Sequence, residues 1–258
     1  MEKVISADGT SIAYDRLGDG PAVVLVCGGS VDRMSNAPLA ALLAQNFTVY
    51  NYDRRGRGDS DDAEVYAVER EFEDLDAILA VAGGSAHVYG TSSGAALALL
   101  ATAAGRPVNR LALWEPPYFL EGAEGRPVPD TASIYRAFVA EGRRDKAAEY
   151  FMAEVVGLPA EFVAQAKASP WWPAQEAIAH TLAYDATVMG DYSIPFEAVK
   201  AVHQPTCVLT GSVAQPWMTA SNKALVDLLE DGSHVVLAEQ QHNVDPAVLA
   251  PALKEFWS

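Results

Sequence analysis

The apolar positions of this chain follow two alternating patterns, short continuous runs and longer stretches with helical spacing. Runs such as PAVVLVCGG and TCVLTG are typical of strands that are buried on both faces. The stretch VEREFEDLDAILAVAGG instead carries apolar residues at helical spacing and ends in a glycine pair. Because strand and helix patterns alternate, the sequence predicts an α/β fold with a mainly parallel sheet and helices on both faces.

Two segments depart from this alternation. KVISADG and TSIAYDRLG indicate an N-terminal hairpin whose turn is Asp8-Gly9. From about Tyr118 to Pro195 there is no convincing strand pattern, and two stretches, residues 130–157 and 159–190, are typical of consecutive helices. We therefore predict an α/β core made of residues 1–118 and 196–258, with a helical insertion at residues 119–195.

Composition narrows the classes of function. Half of the 258 residues are hydrophobic, so a large core is expected. The formal net charge is −16. A field of that sign repels phosphate backbones and anionic lipid surfaces, so we expect neither a nucleic-acid nor a membrane partner. The two cysteines, Cys27 and Cys207, lie in apolar runs and cannot form a disulfide framework. With no apolar leader or membrane-spanning run, these features favour a cytoplasmic location.

The segment AHVYGTSSGAALALL places Ser92 and Ser93 between glycines where a strand becomes a helix. Gly90 and Gly94 relieve crowding between the two elements, and the sharp turn would raise Ser92 above the sheet edge as a nucleophile. The Ser93 amide could then face a developing oxyanion. The alternative is a tight turn in which either serine only caps the helix.

A second glycine-containing loop, CGGS, follows another buried strand. The Gly29 amide is a candidate second oxyanion donor, with Gly28 allowing a close approach. A flexible turn would explain these glycines equally well. Cys27 lies beside the loop, but no nearby residue is a base for it, so we interpret it as a packing residue.

Among the five histidines, His242 has the position that a base for Ser92 requires. It follows the last strand pattern and precedes the final helix, which places it on a loop above the nucleophile. His87, His203 and His234 lie within or before strands, and His180 belongs to the helical insertion. The alternative for His242 is a solvated loop histidine.

The segments VVLVCGGS, YDRRGRGDS, VYGTSSGAALAL and QQHNVDPAVLAPALKEFW resemble the α/β-hydrolase superfamily, in particular its short bacterial members with a G-x-S-S-G elbow. The resemblance covers nearly the whole chain and implies a mostly parallel eight-stranded sheet flanked by helices, with the insertion as its cap. It aligns Ser92 with the nucleophile, His242 with the base, and Gly29 and Ser93 with the oxyanion donors. It implies no metal or organic cofactor.

Two features differ from that family pattern. Cys27 stands where many relatives have histidine, and a serine at position 92 does not support the branches that use an aspartate nucleophile. The RRGRGDS loop recurs in the family as a structural turn, so we do not expect Arg54, Arg55 or Arg57 to be catalytic.

The carboxylate that should complete the machinery is absent from its usual place. Relatives carry aspartate after the seventh strand, but residues 212–215 are Ser-Val-Ala-Gln. Glu115, at the end of the sixth strand, is the best candidate to orient His242, although it could instead hold its loop or touch the substrate. Three weaker candidates are Asp185, Asp191 and Asp245.

These residues predict a carboxylesterase-like serine hydrolase that cleaves a small ester, thioester, lactone or amide through an acyl-enzyme. The substrate would be a small molecule with an apolar part, because the insertion is rich in aromatic residues (Phe151, Trp171, Trp172 and Tyr184). Those aromatics could equally form the insertion's own core. The alternatives are a binding protein of the same fold with little turnover, and a non-hydrolytic lyase or cyclase that uses the same pocket.

Overall fold

The computed structural model describes residues 1–258 and contains one eight-stranded sheet. Its spatial order is β1-β2-β4-β3-β5-β6-β7-β8, and all neighbours from β4 to β8 pair in parallel. The strands are β1 (Glu2–Ile5), β2 (Ser11–Leu17), β3 (Ala22–Val26), β4 (Thr48–Tyr52), β5 (Ala86–Thr91), β6 (Val108–Trp114), β7 (Thr206–Gly211) and β8 (Gly232–Leu237). This confirms the α/β fold with a mostly parallel sheet.

The α-helices lie between and after these strands. The helices are α1 (Ala37–Leu43), α2 (Val68–Val81), α3 (Ser93–Ala103), α4 (Thr131–Ala140), α5 (Arg144–Tyr150), α6 (Ala160–Lys167), α7 (Trp172–Ile178), α8 (Leu182–Met189), α9 (Phe196–Lys200), α10 (Pro216–Leu228) and α11 (Pro246–Trp257). No helix is long and apolar enough to cross a membrane.

The first two strands form the hairpin that Asp8-Gly9 predicts. β1 and β2 pair antiparallel, Gly9 has φ +91°, and the Thr10 amide donates to Asp8 Oδ1 at 2.9 Å. β2 continues antiparallel onto β4, so the hairpin lies at one edge and the parallel strands form the rest of the sheet.

The centre of the sheet is buried on both faces, as its continuous apolar runs predict. Residues 23–26 of β3 are fully inaccessible to solvent, and the larger hydrophobic cluster places α3 against the sheet. At Gly94 an added methyl group would collide with the Cys27 carbonyl oxygen, and at Gly90 it would lie 2.5 Å from the Gly94 carbonyl oxygen. The two glycines therefore let α3 start directly over the carboxyl ends of β3 and β5.

Between β6 and β7 the chain is helical, but it is divided more finely than the sequence pattern indicates. α4 and α5 are separated by a turn at Gly142, which has φ +71°, and α5 continues into a π-helical turn at Phe151–Val155. Pro170 lies in the break between α6 and α7, and Pro173 lies in the first turn of α7. Proline interrupts a helix when it lies in the interior, but it is tolerated in the first turn. Buried side chains from α4 to α8 form a hydrophobic cluster separate from those of the sheet.

Candidate active site

Ser92 lies at the sharp turn between β5 and α3. Its backbone has φ 55° and ψ −125°, a conformation that costs a side-chain-bearing residue about 1–3 kcal/mol. The Ser92 amide donates to the Trp114 carbonyl at 2.9 Å, which fixes the turn to the end of β6. Although Ser92 holds the N-cap position of α3, its side chain makes no capping hydrogen bond. The partly exposed hydroxyl is therefore not used as a helix cap.

The structure brings Glu115 and His242 together. Glu115 Oε2 lies 2.7 Å from His242 Nδ1, although the two residues are 127 positions apart. When Nδ1–H donates to this carboxylate, the neutral imidazole has its lone pair on the opposite ring nitrogen, Nε2. The Glu115 side chain is 1% exposed, whereas that of His242 is 48% exposed and accessible to a small molecule.

Hydrogen bonds at the ends of β6 and β7 hold this pair in place. Glu115 has φ 43°, its amide donates to the Leu209 carbonyl at 3.1 Å, and its Oε1 accepts from the Gly211 amide at 2.8 Å. The preceding residue, Trp114, donates from its indole to the His242 carbonyl at 2.9 Å. The carboxylate thus comes from the end of β6 but lies against the end of β7, beside the place where the sequence lacks an aspartate.

Two backbone amides close to Ser92 in the fold have no backbone acceptor. The Ser93 amide is the first of α3 and has no intrahelical acceptor, and the Gly29 amide donates to no backbone group. A methyl group on Gly28 would lie 3.2 Å from Ser92 Cβ, and one on Gly29 would lie 3.4 Å from Ser93 Oγ. The CGGS loop and the start of α3 are therefore in direct contact, with the positive end of the helix dipole between them.

The remaining candidates have other partners. Ser93 Oγ donates to Asp185 Oδ1 at 2.8 Å, so its hydroxyl is occupied. Cys27 is fully buried, and burial raises the pKa of its thiol. Asp191 pairs with Arg126, and Asp245 caps α11. None of the three weaker aspartate candidates bonds to His242, and no group of side chains forms a metal site.

Comparisons with known proteins agree with the fold. Residues 23–250 match the model of the alpha/beta hydrolase family. The chain belongs to this family. A solved alpha/beta hydrolase from Sphaerobacter thermophilus is 49% identical, with a TM-score of 0.93 over 100% of both chains. An enol-lactonase from Burkholderia xenovorans has the same fold, with 18% identity and a TM-score of 0.76 over 98% of this chain and 99% of its own.

One curated relative is also a hydrolase by name. The uncharacterized hydrolase YraK of Bacillus subtilis is 38% identical over 99 residues, which is 37% of this chain. The match spans 36% of the length of that relative. Family membership supports an enzyme of the hydrolase class that acts on a small molecule.

The aromatic residues predicted to bind substrate lie in different surroundings. Trp172 is buried in the insertion's own hydrophobic cluster, whereas Trp171 is 48% exposed. Tyr184 stacks on Tyr66 with ring centroids 3.9 Å apart, and its hydroxyl donates to Asp62 at 3.0 Å. None of these contacts involves Ser92, and the role of the three residues as substrate contacts stays a prediction.

Sequence reasoning missed the partners of the arginine-rich loop in this alpha/beta hydrolase. Arg54 forms a bidentate ion pair with Glu71, at 2.6 and 2.7 Å, and both Arg54 and Arg57 donate to Asp185 at 2.7 Å. All four side chains are almost fully buried. The closely spaced arginines of this loop follow a predicted buried strand, and a buried arginine requires a carboxylate partner. That pattern could have predicted buried ion pairs, but not which carboxylates form them.

Proposed function

We propose that this chain is a carboxylesterase-like serine hydrolase that cleaves a small ester, thioester, lactone or amide through an acyl-enzyme on Ser92. The observation that carries the proposal is the hydrogen bond between the buried Glu115 carboxylate and His242 Nδ1. This contact gives the imidazole a fixed orientation and leaves Nε2 as the proton acceptor. A serine nucleophile requires such a general base to remove its hydroxyl proton.

In the acylation step, Ser92 Oγ attacks the substrate carbonyl carbon while His242 Nε2 takes the hydroxyl proton. The resulting oxyanion accepts hydrogen bonds from the Gly29 and Ser93 amides. His242 then returns the proton to the leaving group as the carbon–leaving-group bond breaks. Throughout the step Glu115 stays ionised and stabilises the imidazolium.

Deacylation repeats these roles with water as the nucleophile. His242 takes a proton from water, the hydroxide attacks the acyl carbon, and the same two amides stabilise the second oxyanion. Collapse of this intermediate breaks the bond to Ser92 Oγ, which recovers its proton from His242, and the acid product leaves. These steps use no metal and no organic cofactor.

The insertion, residues 119–195, would act as the cap over this site and favour substrates with an apolar part. Its exposed Trp171 supplies apolar surface outside the buried cluster, and the partly buried Tyr184 packs against that cluster. The two free and buried thiols, Cys27 and Cys207, support a reducing, cytoplasmic location.

Labelling with a fluorescent fluorophosphonate tests the proposal. The wild type should label rapidly, Ser92→Ala should not label, and mass spectrometry should find the adduct on the peptide that contains Ser92. Cys27→Ala is the matched control and should label like the wild type, since it removes the neighbouring alternative nucleophile.

Absence of labelling in the wild type would overturn the proposal. Labelling should also be accompanied by turnover of a series of p-nitrophenyl esters of increasing acyl length. Labelling without turnover of any ester would instead favour a binding protein of the same fold.

A further inference from the structure

Asp185 is a buried carboxylate that the insertion places next to the nucleophile turn. It belongs to α8, and its Oδ1 accepts from Arg54 Nη1 at 2.7 Å and from Ser93 Oγ at 2.8 Å. Its Oδ2 accepts from Arg57 Nη2 at 2.7 Å. A methyl group on Gly29 would lie 3.1 Å from that same oxygen. The steps proposed for hydrolysis leave this group without a role.

Arg57 connects Asp185 to the CGGS loop. Its Nη1 donates to the Gly28 carbonyl oxygen at 2.5 Å, and its Nε donates to Thr181 Oγ1, another residue of the insertion, at 3.1 Å. The Gly28 carbonyl and the Gly29 amide belong to one planar trans peptide, so they point in opposite directions. By holding the carbonyl on one side, Arg57 directs the Gly29 N–H to the other.

A peptide between two glycines needs such a restraint. Glycine adopts both signs of φ at little cost, so the Gly28–Gly29 peptide could rotate and remove the amide from its direction. The Ser93 amide is restrained in a comparable way, because the Ser93 side chain is bonded to Asp185. One carboxylate therefore holds the residues that present both amides.

We propose that Asp185 is a positioning residue which, through Arg57 and the Ser93 side chain, sets the two amides of the oxyanion site. The inference rests on the proposed function, because it assigns the Gly29 and Ser93 amides to the oxyanion. It also means that the site is complete only when α8 of the insertion is packed against the core.

The charges around Asp185 are compatible with this role. Burial alone would raise the pKa of Asp185, but the Arg57 and Arg54 guanidiniums and the Ser93 hydroxyl hold it below its usual range, so the group is ionised at neutral pH. Glu71 forms an ion pair with Arg54 and so compensates its charge. Since two cations face two anions, the cluster adds no net charge and acts by fixing geometry.

The test compares Asp185→Asn with Asp74→Asn. The amide nitrogen of asparagine cannot accept the hydrogen bond from Arg57 Nη2. Arg57 then loses the carboxylate that holds it against the Gly28 carbonyl. Asp74 is a matched control: it is a buried carboxylate paired with Arg55 of the same loop, at 2.8 and 2.7 Å, and it touches neither amide. For an ester that the wild type hydrolyses, Asp185→Asn should lower kcat about 10²-fold, while Asp74→Asn stays within about threefold.

Two readouts distinguish the proposed positioning role of Asp185 from a merely structural role. A trifluoromethyl ketone, which adds to the serine and places an oxyanion against the amides, should bind Asp185→Asn about 10²-fold more weakly, while KM changes by less than about threefold. Equal loss of kcat in the Asp74→Asn control, or an unchanged inhibition constant, would overturn the inference. Arg57→Lys should reproduce the kcat loss and replaces Asp185→Asn if that variant does not fold.

Crystal structures of the variants make the inference independent of the proposed function. If the wild type neither labels nor turns over esters, the proposed function fails, and the orientation of the Gly28–Gly29 peptide still decides the positioning role. A rotated or disordered peptide in Asp185→Asn or Arg57→Lys supports it. An unchanged peptide in both variants contradicts it.

Discussion

At the scale of single residues, Glu115 has the contacts that the proposed chemistry depends on most. It lies in the left-handed backbone region, and both carboxylate oxygens are engaged, one with His242 and one with the Gly211 amide. In Glu115→Gln the amide oxygen can still accept from Gly211. The amide nitrogen must then donate to His242 Nδ1, which puts the ring proton on Nε2 and removes the acceptor for Ser92. We expect kcat to fall by about 10³–10⁴-fold for any ester the wild type hydrolyses.

Glu230→Gln provides the control for that measurement. Glu230 also pairs with a histidine, His203, at 2.5 Å, but both side chains are more than half exposed and belong to neither the site nor the insertion. Its steady-state rate should stay within about twofold of the wild type. Full activity in Glu115→Gln would remove Glu115 from the mechanism and return it to a role in holding its loop.

The pairing of Glu115 with His242 could be anticipated from the sequence, since both follow parallel strands whose carboxyl ends meet at one edge. What the sequence could not show is that the carboxylate reaches across to β7. That reach depends on the positive φ of Glu115 and on the missing side chain at Gly211, where a methyl group would collide with the Gln240 carbonyl. Both are properties of tertiary packing and leave no signal in residue spacing.

At the scale of elements, the contact between α3 and β3 determines where Ser92 is held. Alanine is normally more favourable than glycine inside a helix by about 1 kcal/mol. At Gly94 the sign should reverse, because the new methyl group meets the backbone carbonyls of Cys27 and Val26. Gly94→Ala should lower the free energy of unfolding by about 3 kcal/mol and slow fluorophosphonate labelling of Ser92.

Gly142→Ala separates this collision from simple backbone strain. Gly142 has φ +71° with open space around it, so alanine there meets no neighbour and should cost only about 1 kcal/mol in urea unfolding. An equal loss of unfolding free energy in the two variants would mean that the collision between α3 and the end of β3 does not determine the effect of Gly94→Ala.

The elements of the α/β core follow from the sequence, whereas the division of the insertion does not. Continuous apolar runs identified the central strands because those strands are buried on both faces. In the insertion, helical periodicity continues across the breaks at Gly142 and Pro170, so it marks the helical class but not the individual helices. The route of α8 back over the CGGS loop depends on contacts of Asp185 that are 92–131 positions apart in sequence.

At the scale of the whole molecule, those same contacts connect the insertion to the core through buried charge. Because the pKa of Asp185 is lower in the folded chain than in an exposed aspartate, its ion pairs stabilise the fold fully above about pH 4. That stabilisation is lost as the pH falls through the folded-state value and the carboxylate takes up a proton. Asp185→Asn should therefore cost about 3 kcal/mol of unfolding free energy near neutral pH and progressively less in acid.

Urea titrations of the wild type and Asp185→Asn at about pH 7, about pH 5 and about pH 3 measure this difference directly. The first two values should agree, and the third should be smaller, because at about pH 3 the aspartate of the unfolded wild type has taken up a proton, whereas asparagine has none to take up. Asp227→Asn is the control: its pair with Lys223 on α10 is exposed, so the change should stay below about 0.5 kcal/mol at every pH. A cost for Asp185→Asn that is the same at all three pH values would show that packing, not charge, binds the insertion to the core.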